Sequence, residues 1–411
     1  MRHYLRKHPF TTVLWCVTGG IVLFYLRQLW EGRLGQFVAG TSGTDSQPSA
    51  TMPHVTIIVP ARDEQRNIRR CVLSLLNQTY PSFNIIVVND GSTDGTAEIL
   101  TELQHGPHGE RLTVIAAGNL PPGWAGKPHA IEAGTAIATG EWLLFTDADT
   151  YHHPTALTHT VQEAIATTSD LYSLLTRQEL VDSWNHIVLP LVVMGITAQY
   201  PPTMVANPRR KLAIANGQYI LIRREVYTAV GGYAGQALRG SVVDDRDLAA
   251  LVKRSGYRLL LADGREYVSV CMYRSLSEAW HGWSKNAYAG SRGGPFVFVL
   301  LTLALPIGTV LPYLLAIIGL FSGSLAVTVM GSLQVAAITA YRWQIDKQVE
   351  HSRWWGWTHP IAGAVITTLL GQVCWRQFTG QGVQWSGRTY QVEQEALTPE
   401  ANIEQPLTTH I

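Results

Sequence analysis

Residues Val55–Thr96 read VTIIVPARDEQRNIRRCVLSLLNQTYPSFNIIVVNDGSTDGT, and they contain two short apolar runs on either side of a helical pattern. The runs are Val55–Pro60 and Asn84–Asp90, and both are rich in β-branched residues, which is typical of buried strands. The segment between them, Asn67–Gln78, has the length and periodicity of a connecting helix. A strand, a helix and a second strand in this order predict two parallel neighbours in one sheet.

The same alternation continues along the chain. Two more strand-like runs and two more helical patterns follow: Leu112–Ala117, Glu141–Asp147, Ala97–Gln104 and Pro128–Ala138. The composition from His54 to about Tyr273 is that of an ordinary globular domain. These features predict an α/β domain with a mainly parallel sheet and helices on both faces. Ligands of such sheets bind at the carboxyl ends of the strands.

The overall composition excludes two classes of protein. The 411 residues are 46% hydrophobic and 15% charged, with 31 Lys and Arg against 30 Asp and Glu. Apolar residues are too abundant for a disordered chain, and a net charge of +1 leaves no excess of cations for nucleic acid. The four cysteines have no metal-ligand spacing, and nothing in the sequence indicates an obligate protein partner.

Polar residues follow three of the first four predicted strands directly. The segments are Pro60-Ala61-Arg62-Asp63-Glu64, Asn89-Asp90-Gly91-Ser92-Thr93-Asp94-Gly95 and Thr146-Asp147-Ala148-Asp149. Each alone has an ordinary structural explanation as a turn, a helix cap or a solvated strand end. Together they place carboxylates at one edge of the sheet, where a divalent metal or a hydrogen-bonding ligand would offset the cost of burying them.

This set of motifs resembles the nucleotide-sugar domain of family 2 glycosyltransferases, which has the Rossmann-like GT-A fold. The matching text is Val55–Thr96 and GKPHAIEAGTAIATGEWLLFTDADT (Gly126–Thr150), and the likeness extends over roughly Val55–Tyr273. The resemblance implies a UDP-sugar donor bound by Pro60, Arg62, Glu64, Asp90, Lys127 and Asp147. It also implies that Asp149, with Asp147, holds a divalent cation, Mg²⁺ or Mn²⁺, at the two phosphates.

A second acidic segment is the expected source of a general base. VVDDRDL (Val242–Leu248) opens a helical pattern that runs to about Ser255. By resemblance Asp245 is the base of an inverting transfer, and Asp244 is a reserve candidate because the family's usual Glu-Asp pair is Asp-Asp here. The alternative is that one aspartate caps the helix and the others are solvated.

The acceptor site is predicted less specifically. The resemblance assigns it Asn216, Gly217, Trp283 and Lys285, although Gly217 is equally explained as a turn residue and Trp283 as an anchor in an interfacial helix. The Gln-x-x-Arg-Trp signature of processive synthases is missing. The apolar stretch Ile187–Ala198 is either core or a surface that dips into the bilayer to admit a lipid.

Four apolar runs predict one N-terminal and about three C-terminal transmembrane helices: Phe10–Leu26, Pro295–Phe321, Leu325–Tyr341 and Ile361–Trp375. A cleaved signal peptide is the alternative for the first run. The predicted parts are an anchor and linker (1–52), a catalytic domain (53–273), an interfacial amphipathic segment (274–294), C-terminal transmembrane helices (295–378) and a polar tail (379–411).

The predicted protein is integral to the cell's inner or plasma membrane, with its catalytic domain in the cytoplasm. Arg342, Lys347 and Arg353 then lie on the cytoplasmic side, as basic loop residues usually do. Arg2, Arg6 and Lys7 would lie outside, which runs against that tendency.

The resemblance is strongest to the branch that glycosylates carotenoids or hopanoid-type lipids. The expected function is therefore inverting, metal-dependent transfer of a hexose, glucose in the first place, to the hydroxyl of a membrane lipid. A polyprenyl phosphate or a cell-surface polysaccharide is the alternative acceptor. A non-enzymatic membrane scaffold with a degenerate nucleotide fold is the alternative outside enzymes.

Overall fold

The structure is a computed structural model that describes residues 9–34, 52–289, 294–379, 383–385 and 388–390. The basic residues before Pro9, the linker from Gly40 to Thr51 and most of the predicted tail lie outside the described residues.

Twelve strands are present in the described residues: β1 Val55–Ala61, β2 Phe83–Asn89, β3 Leu112–Ala116, β4 Trp142–Phe145, β5 Thr150–His152, β6 Leu171–Leu175, β7 Arg177–Gln178, β8 Ile220–Arg223, β9 Leu259–Asp263, β10 Val268–Val270, β11 Val383–Trp385 and β12 Arg388–Tyr390. Seven of them form the central sheet in the order β3-β2-β1-β4-β8-β6-β9. Strand β8 is antiparallel to both of its neighbours, and the other pairs are parallel. The predicted mainly parallel sheet is confirmed.

The α-helices of the described residues are α1 Pro9–Leu34, α2 Ile68–Leu76, α3 Thr96–Gln104, α4 Gly126–Thr135, α5 Ala156–Ala166, α6 Ser183–Gln199, α7 Pro202–Ala206, α8 Arg224–Ala229, α9 Asp244–Arg254, α10 Leu276–Ala289, α11 Gly294–Thr309, α12 Leu311–Ser322, α13 Leu325–Gln348 and α14 His359–Phe378. Short 3₁₀ helices cover Gly109–Arg111 and Arg353–Thr358.

Alternate residues of β1 bury the two faces of the sheet in different cores. Ile57 and Val59 pack with apolar residues of α2, α3 and α5, whereas Ile58 packs with residues of α4, α8 and α9. Gly134 lets α4 approach closely, since a Cβ there would lie 2.7 Å from Cγ2 of Ile58. Coverage of both faces explains why the strands read as continuous apolar runs.

The strand order places a switch point between β1 and β4. From β1 the chain adds β2 and β3 on one side, and then returns to add β4 on the other. Loops that leave two such adjacent strands diverge and open a crevice at their carboxyl ends. The segments after β1 and β4, beginning at Arg62 and Thr146, are therefore placed at this crevice.

Three stretches of the described residues are long and apolar enough to span a membrane: Thr12–Glu31 in α1, Phe296–Ser322 in α11 and α12, and Leu325–Gln348 in α13. Helix α14 covers the third predicted C-terminal run but is not among them, because Gln372 and Arg376 lower its hydropathy. The described residues therefore contain two C-terminal candidate spans, whereas about three C-terminal transmembrane helices were predicted.

Helices α1 and α13 run parallel. Nε2 of Gln334 donates to Oγ1 of Thr18 over 2.8 Å, and the rings of Tyr25 and Tyr341 lie 6.0 Å apart. Both helices end on the side of the α/β domain, where Oγ1 of Thr203 in α7 donates to Oε2 of Glu31 over 2.6 Å. The start of α1 and the turn between α12 and α13 lie at the opposite end of the bundle.

Helix α6 connects the α/β domain to this bundle. Val188 is buried with Leu369 of α14, and Arg342 of α13 donates to the carbonyl oxygen of His186 over 3.1 Å. The continuous helix includes Pro190, and its apolar residues form part of the core between the two units. The stretch Ile187–Ala198 was interpreted as either core or a surface that dips into the bilayer. Its buried face packs as core.

Trp283 does not lie on an exposed face of α10, which its interpretation as an interfacial anchor would require. Its side chain is 8% exposed and packs edge-on against Tyr273, with ring centroids 5.7 Å apart. Val373 of α14 is buried in the same apolar cluster. Helix α10 therefore turns this indole toward the protein interior, because α14 offers it an apolar surface.

Candidate functional site

The loops after β1 and β2 are joined by hydrogen bonds. Oδ1 of Asp63 accepts from the backbone N–H of Thr93 over 2.7 Å, and the N–H of Glu64 donates to Oγ1 of Thr96 over 2.9 Å. Asp63 has a φ of 56°, in the left-handed region. These contacts fix one wall of the crevice, next to Pro60 at the end of β1.

Arg62 and Asp90 meet in this wall. Nη1 of Arg62 donates to the backbone oxygen of Asp90 over 2.9 Å and lies 3.7 Å from its Oδ2. The two residues are 28 positions apart in sequence and follow neighbouring parallel strands. The structure therefore brings together two of the residues predicted to bind the nucleotide.

Glu64 faces the same crevice. Its Oε2 accepts from Nδ2 of Asn67 over 2.9 Å. Burial raises the pKa of Glu64 to about 7, and the charges of Asp147, Asp94 and Asp63 add to the effect while Asn67 opposes it. The influence of Asp147 places this carboxyl group near the segment after β4.

Lys127 and Asp147 form the ion pair at the centre of the site. Nζ of Lys127 lies 2.6 Å from Oδ1 of Asp147, and each side chain is 31% exposed. Burial alone would lower the pKa of Lys127, but Asp147, Asp244 and Asp245 together raise it above its ordinary value. The lysine is thus charged and shared between carboxylates from two parts of the chain.

Asp149 has an unsatisfied oxygen. Its Oδ1 is buried and has no hydrogen-bond partner in the described part of the chain. Burial, then the charges of Asp147 and Glu64, raise the pKa of Asp149 well above its ordinary value, which Lys127 only partly opposes. Such a group needs a proton or a cation to be stable.

Asp245 lies on the other side of Lys127, in the first turn of α9. Its Oδ2 accepts from the backbone N–H of Gly217 over 3.0 Å, and its Oδ1 accepts from that of Arg246 over 2.7 Å. Burial and then Asp244 raise the pKa of Asp245 to about 6, against Lys127 and the two N–H groups. A carboxylate with this pKa is ionised near neutral pH and still accepts protons.

Asp244 has a hydrogen-bond partner of its own. Its side chain is 7% exposed, and its Oδ2 accepts from the hydroxyl of Tyr233 over 3.0 Å. This bond gives Asp244 a structural partner that Asp245 does not have. Nothing in the VVDDRDL segment indicated the role of Tyr233, which comes from 11 residues upstream.

The residues assigned to the acceptor separate into two groups. Nδ2 of Asn216 donates to the carbonyl oxygen of Leu174 over 2.9 Å, so this side chain fixes the turn to β6. Trp283 is buried as described above. Gly217 and Lys285 lie near the charged groups of the site. A Cβ on Gly217 would lie 2.9 Å from Nζ of Lys127. Burial and Lys127 lower the pKa of Lys285, while Asp244, Asp147 and Asp245 act in the opposite direction.

Tyr273 was not predicted and borders the site. The N–H of Cys271, two residues before it, donates to the backbone oxygen of Asp149 over 3.4 Å. Burial raises the pKa of Tyr273, and the charges of Asp149 and Asp147 add to the shift. The strand-end rule does not detect this residue, because it follows β10 of the small β5-β10-β7 sheet.

The donor set fits a hard divalent cation. Asp149 supplies a buried oxygen that has no partner among the described residues, and positive charge would relieve the repulsion among Asp149, Asp147 and Glu64. No group of three or more His, Cys, Asp and Glu side chains with a suitable arrangement occurs in the described residues. Cations that bridge substrate phosphates often use only one or two protein carboxylates.

A family model and known proteins match this chain. Residues 56–231 match the model of glycosyl transferase family 2. The 4,4'-diaponeurosporenoate glycosyltransferase of Staphylococcus aureus strain bovine RF122 / ET3-1 is 25% identical over 353 residues, which cover 83% of this chain and 89% of the relative. The enzyme of that name from strain USA300 matches with the same identity and coverage.

A solved structure has the same fold. It is a mannosyltransferase of Pyrobaculum calidifontis in complex with GDP-Man and Mn²⁺. The TM-score is 0.54 at 18% identity, and the match covers 90% of this chain and 99% of that one. The predicted GT-A fold is confirmed.

Proposed function

We propose that this chain, which carries a family 2 glycosyltransferase domain at residues 56–231, transfers a hexose from a UDP-sugar to a carotenoid-type membrane lipid with inversion at the anomeric carbon. Glucose is the hexose in this proposal. The observation that carries it is the position of Lys127 between Asp147 and Asp245. Two residues after Asp147, the buried Oδ1 of Asp149 has no partner among the described residues, and on the other side Asp245 is itself an ionisable base.

The donor lies against the loops after β1, β2 and β4 in this proposal. Pro60, Arg62, Glu64 and Asp90 line the base and ribose, and Lys127 with Asp147 lies near the diphosphate. Asp149, together with Asp147, would hold a divalent cation, Mg²⁺ or Mn²⁺, which lowers the charge on the departing diphosphate. Lys127 remains charged throughout because three carboxylates surround it.

Asp245 is the proposed general base. The N–H groups of Gly217 and Arg246 fix its carboxylate at the start of α9. It takes the proton from the acceptor hydroxyl as that oxygen forms a bond to the anomeric carbon. The bond from this carbon to the diphosphate breaks on the opposite face, and inversion results. Asp244, held by Tyr233, supports the charge pattern without touching the substrate.

The acceptor class rests on the named relatives and on the apolar helices. The relatives are named for diaponeurosporenoate, and three stretches of the described residues are long and apolar enough to span a membrane, in which a carotenoid-type acceptor would dissolve. A hydroxyl acceptor requires a base, whereas a carboxylic acid acceptor is already ionised at neutral pH. The dependence on Asp245 therefore distinguishes transfer to a hydroxyl from transfer to a carboxylate.

The proposed orientation places the α/β domain in the cytoplasm, where nucleotide sugars are made. The turn at Gly323 would then face outward. The last turn of α13 and the residues after it would face inward, including Lys347 and Arg353. Labelling with a membrane-impermeant maleimide tests this arrangement. Ser322→Cys should be modified in intact cells and Ser352→Cys only after permeabilisation; the reverse pattern would overturn the orientation.

The function is tested with the full chain in phospholipid nanodiscs and a radiolabelled UDP-hexose. The acceptors are a hydroxylated carotenoid, a carotenoid carboxylic acid, a polyprenyl phosphate and a hopanoid alcohol. Metal-dependent label in the hydroxylated carotenoid, with inverted configuration, is the expected result. Label found only in the polyprenyl phosphate would show that this lipid, not the carotenoid, is the acceptor. The absence of both transfer and donor hydrolysis with every UDP-hexose would overturn the proposed function.

A further inference from the structure

A groove with one polar and one apolar end lies between α6, α10 and the end of β10. We call it the α6–α10 groove, and it is lined by Gln178, Glu179, Leu180, Asn185, Leu189, Met272, Tyr273 and Trp283. The polar end is ordered, since Nδ2 of Asn185 donates to the backbone oxygen of Tyr273 over 3.0 Å. None of these residues is needed to bind the nucleotide in the proposed function.

The polar end of the groove lies beside two chain segments of the proposed reaction centre, one carrying Asp149 and the other carrying Gly217, which binds Asp245. Tyr273 lies near Asp149, to which its chain is joined through the N–H of Cys271. On the other side the groove is lined by Gln178, whose Nε2 lies 3.4 Å from Oε1 of Gln218. Gln218 directly follows Gly217, the residue that donates to Asp245.

The other end of the groove continues into the apolar bundle. Leu189 and Trp283 belong to one cluster with Phe298, which lies in the candidate span Phe296–Ser322. Met272 at the rim is 36% exposed. The apolar side of the groove is therefore continuous with the packed side chains of helices that would lie in the bilayer.

We propose that the α6–α10 groove holds the part of a membrane-lipid acceptor that adjoins its reactive end, with the reactive end itself between Asp149 and Asp245. This inference rests on the proposed function and adds the location of the acceptor. A long apolar chain matches Leu189, Met272 and Trp283, and its polar end matches Gln178 and Asn185. The proposal also gives helix α6 a role, because Asn185 and Leu189 of this helix form one wall of the groove.

Two substitutions in the groove test the inference. Leu189→Trp fills the apolar part, and Met272→Glu places a charge at the rim, where a polar side chain is tolerated by the fold because the position is already exposed. Matched controls are Ile196→Trp on the exposed side of the same helix and Ile137→Glu on the surface of the α/β domain. The probe is a hydroxylated carotenoid in phospholipid nanodiscs, with UDP-hexose transfer and UDP-hexose hydrolysis by water measured in parallel.

Both groove variants should raise the KM for the carotenoid by about tenfold or more, with donor hydrolysis unchanged within about twofold. The two controls should match the wild type in both readouts. An unchanged carotenoid KM in Leu189→Trp and Met272→Glu would overturn the groove while leaving the proposed function intact. A wild-type enzyme that neither transfers to the carotenoid nor hydrolyses the donor would instead refute the proposed function itself.

Discussion

Nζ of Lys127 lies 2.6 Å from Oδ1 of Asp147, although Lys127 belongs to α4 and Asp147 to the loop after β4. Gly217 lies on the other side of this ammonium group, because a Cβ on it would lie 2.9 Å from the same Nζ and 3.3 Å from Oδ2 of Asp245. One ammonium group therefore separates the carboxylates after β4 from the carboxylate that begins α9. A substitution that removes one of these contacts is expected to change transfer, metal binding or both.

Asp149→Asn should abolish metal-dependent transfer. The variant loses a negative charge at a buried position where Oδ1 has no partner among the described residues, so the cation loses a ligand. Transfer should fall by about a hundredfold or more. Calorimetric titration with Mn²⁺ in the presence of UDP should show tight binding to the wild type and weak binding to the variant.

Equal Mn²⁺ affinities in Asp149→Asn and the wild type would contradict this prediction, as would full wild-type activity after treatment with a chelator. Asp170→Asn is a matched control, because Asp170 lies near Arg223 and away from the crevice.

Gly217→Ala should impair transfer without unfolding the protein. The added methyl group would meet Nζ of Lys127 and Oδ2 of Asp245, so the lysine must leave its position beside Asp147. We expect kcat/KM to fall by about tenfold or more with little change in Tm. Gly195→Ala is the control, since a Cβ there meets nothing within 4 Å. Equal kcat/KM values for the two variants would refute the close approach at Gly217.

Transfer to a hydroxyl acceptor should decrease as the pH falls through about 6, the pKa to which burial and Asp244 raise Asp245. The base acts only when ionised, and a raised carboxyl pKa means that protonation begins close to neutral pH. Below that pKa, kcat/KM should fall about tenfold for each pH unit. A profile that stays flat from about pH 7 down to about pH 5 would contradict the assignment of Asp245.

Arg342→Met should destabilise the contact between α6 and α13. Arg342 and Asp346 are both fully buried with Nε and Oδ1 2.8 Å apart, and Arg342 also donates to the carbonyl oxygen of His186. Breaking a buried pair from one side costs about 3–5 kcal/mol because the other charge remains buried. The Tm in detergent should fall markedly for this variant and change little for Lys347→Met on the exposed side of the same helix. Similar Tm values would show that the pair does not stabilise the contact.

Much of the central sheet was predictable because its signals are local. The predicted run Val55–Pro60 and the strand Val55–Ala61 differ by one residue, and the predicted helix Asn67–Gln78 contains α2, Ile68–Leu76. Their order also predicts that Arg62 and Asp90 come together, since residues after neighbouring parallel strands share one edge of the sheet. These parts depend on hydrophobic periodicity and on chain connectivity alone.

The remainder depends on contacts between distant segments. The burial of Trp283 follows from the surface that α14 presents to α10, and the hydrogen bond from Tyr233 sets Asp244 apart from Asp245. No local pattern encodes either contact. The same holds for Tyr273, which reaches the site from the small second sheet.

The role of Asp245 is tested most directly by comparing donor binding and hydroxyl transfer in Asp245→Asn. Asp247→Asn is the control, because Asp247 lies in the same helical turn and accepts from Ser241 and Arg246. The Asp245 variant should bind UDP-hexose with a Kd within about threefold of wild type and transfer it to the hydroxylated carotenoid about a hundredfold or more slowly. Wild-type transfer by Asp245→Asn, or a loss of donor binding as large as the loss of turnover, would contradict the assignment of Asp245 as the base.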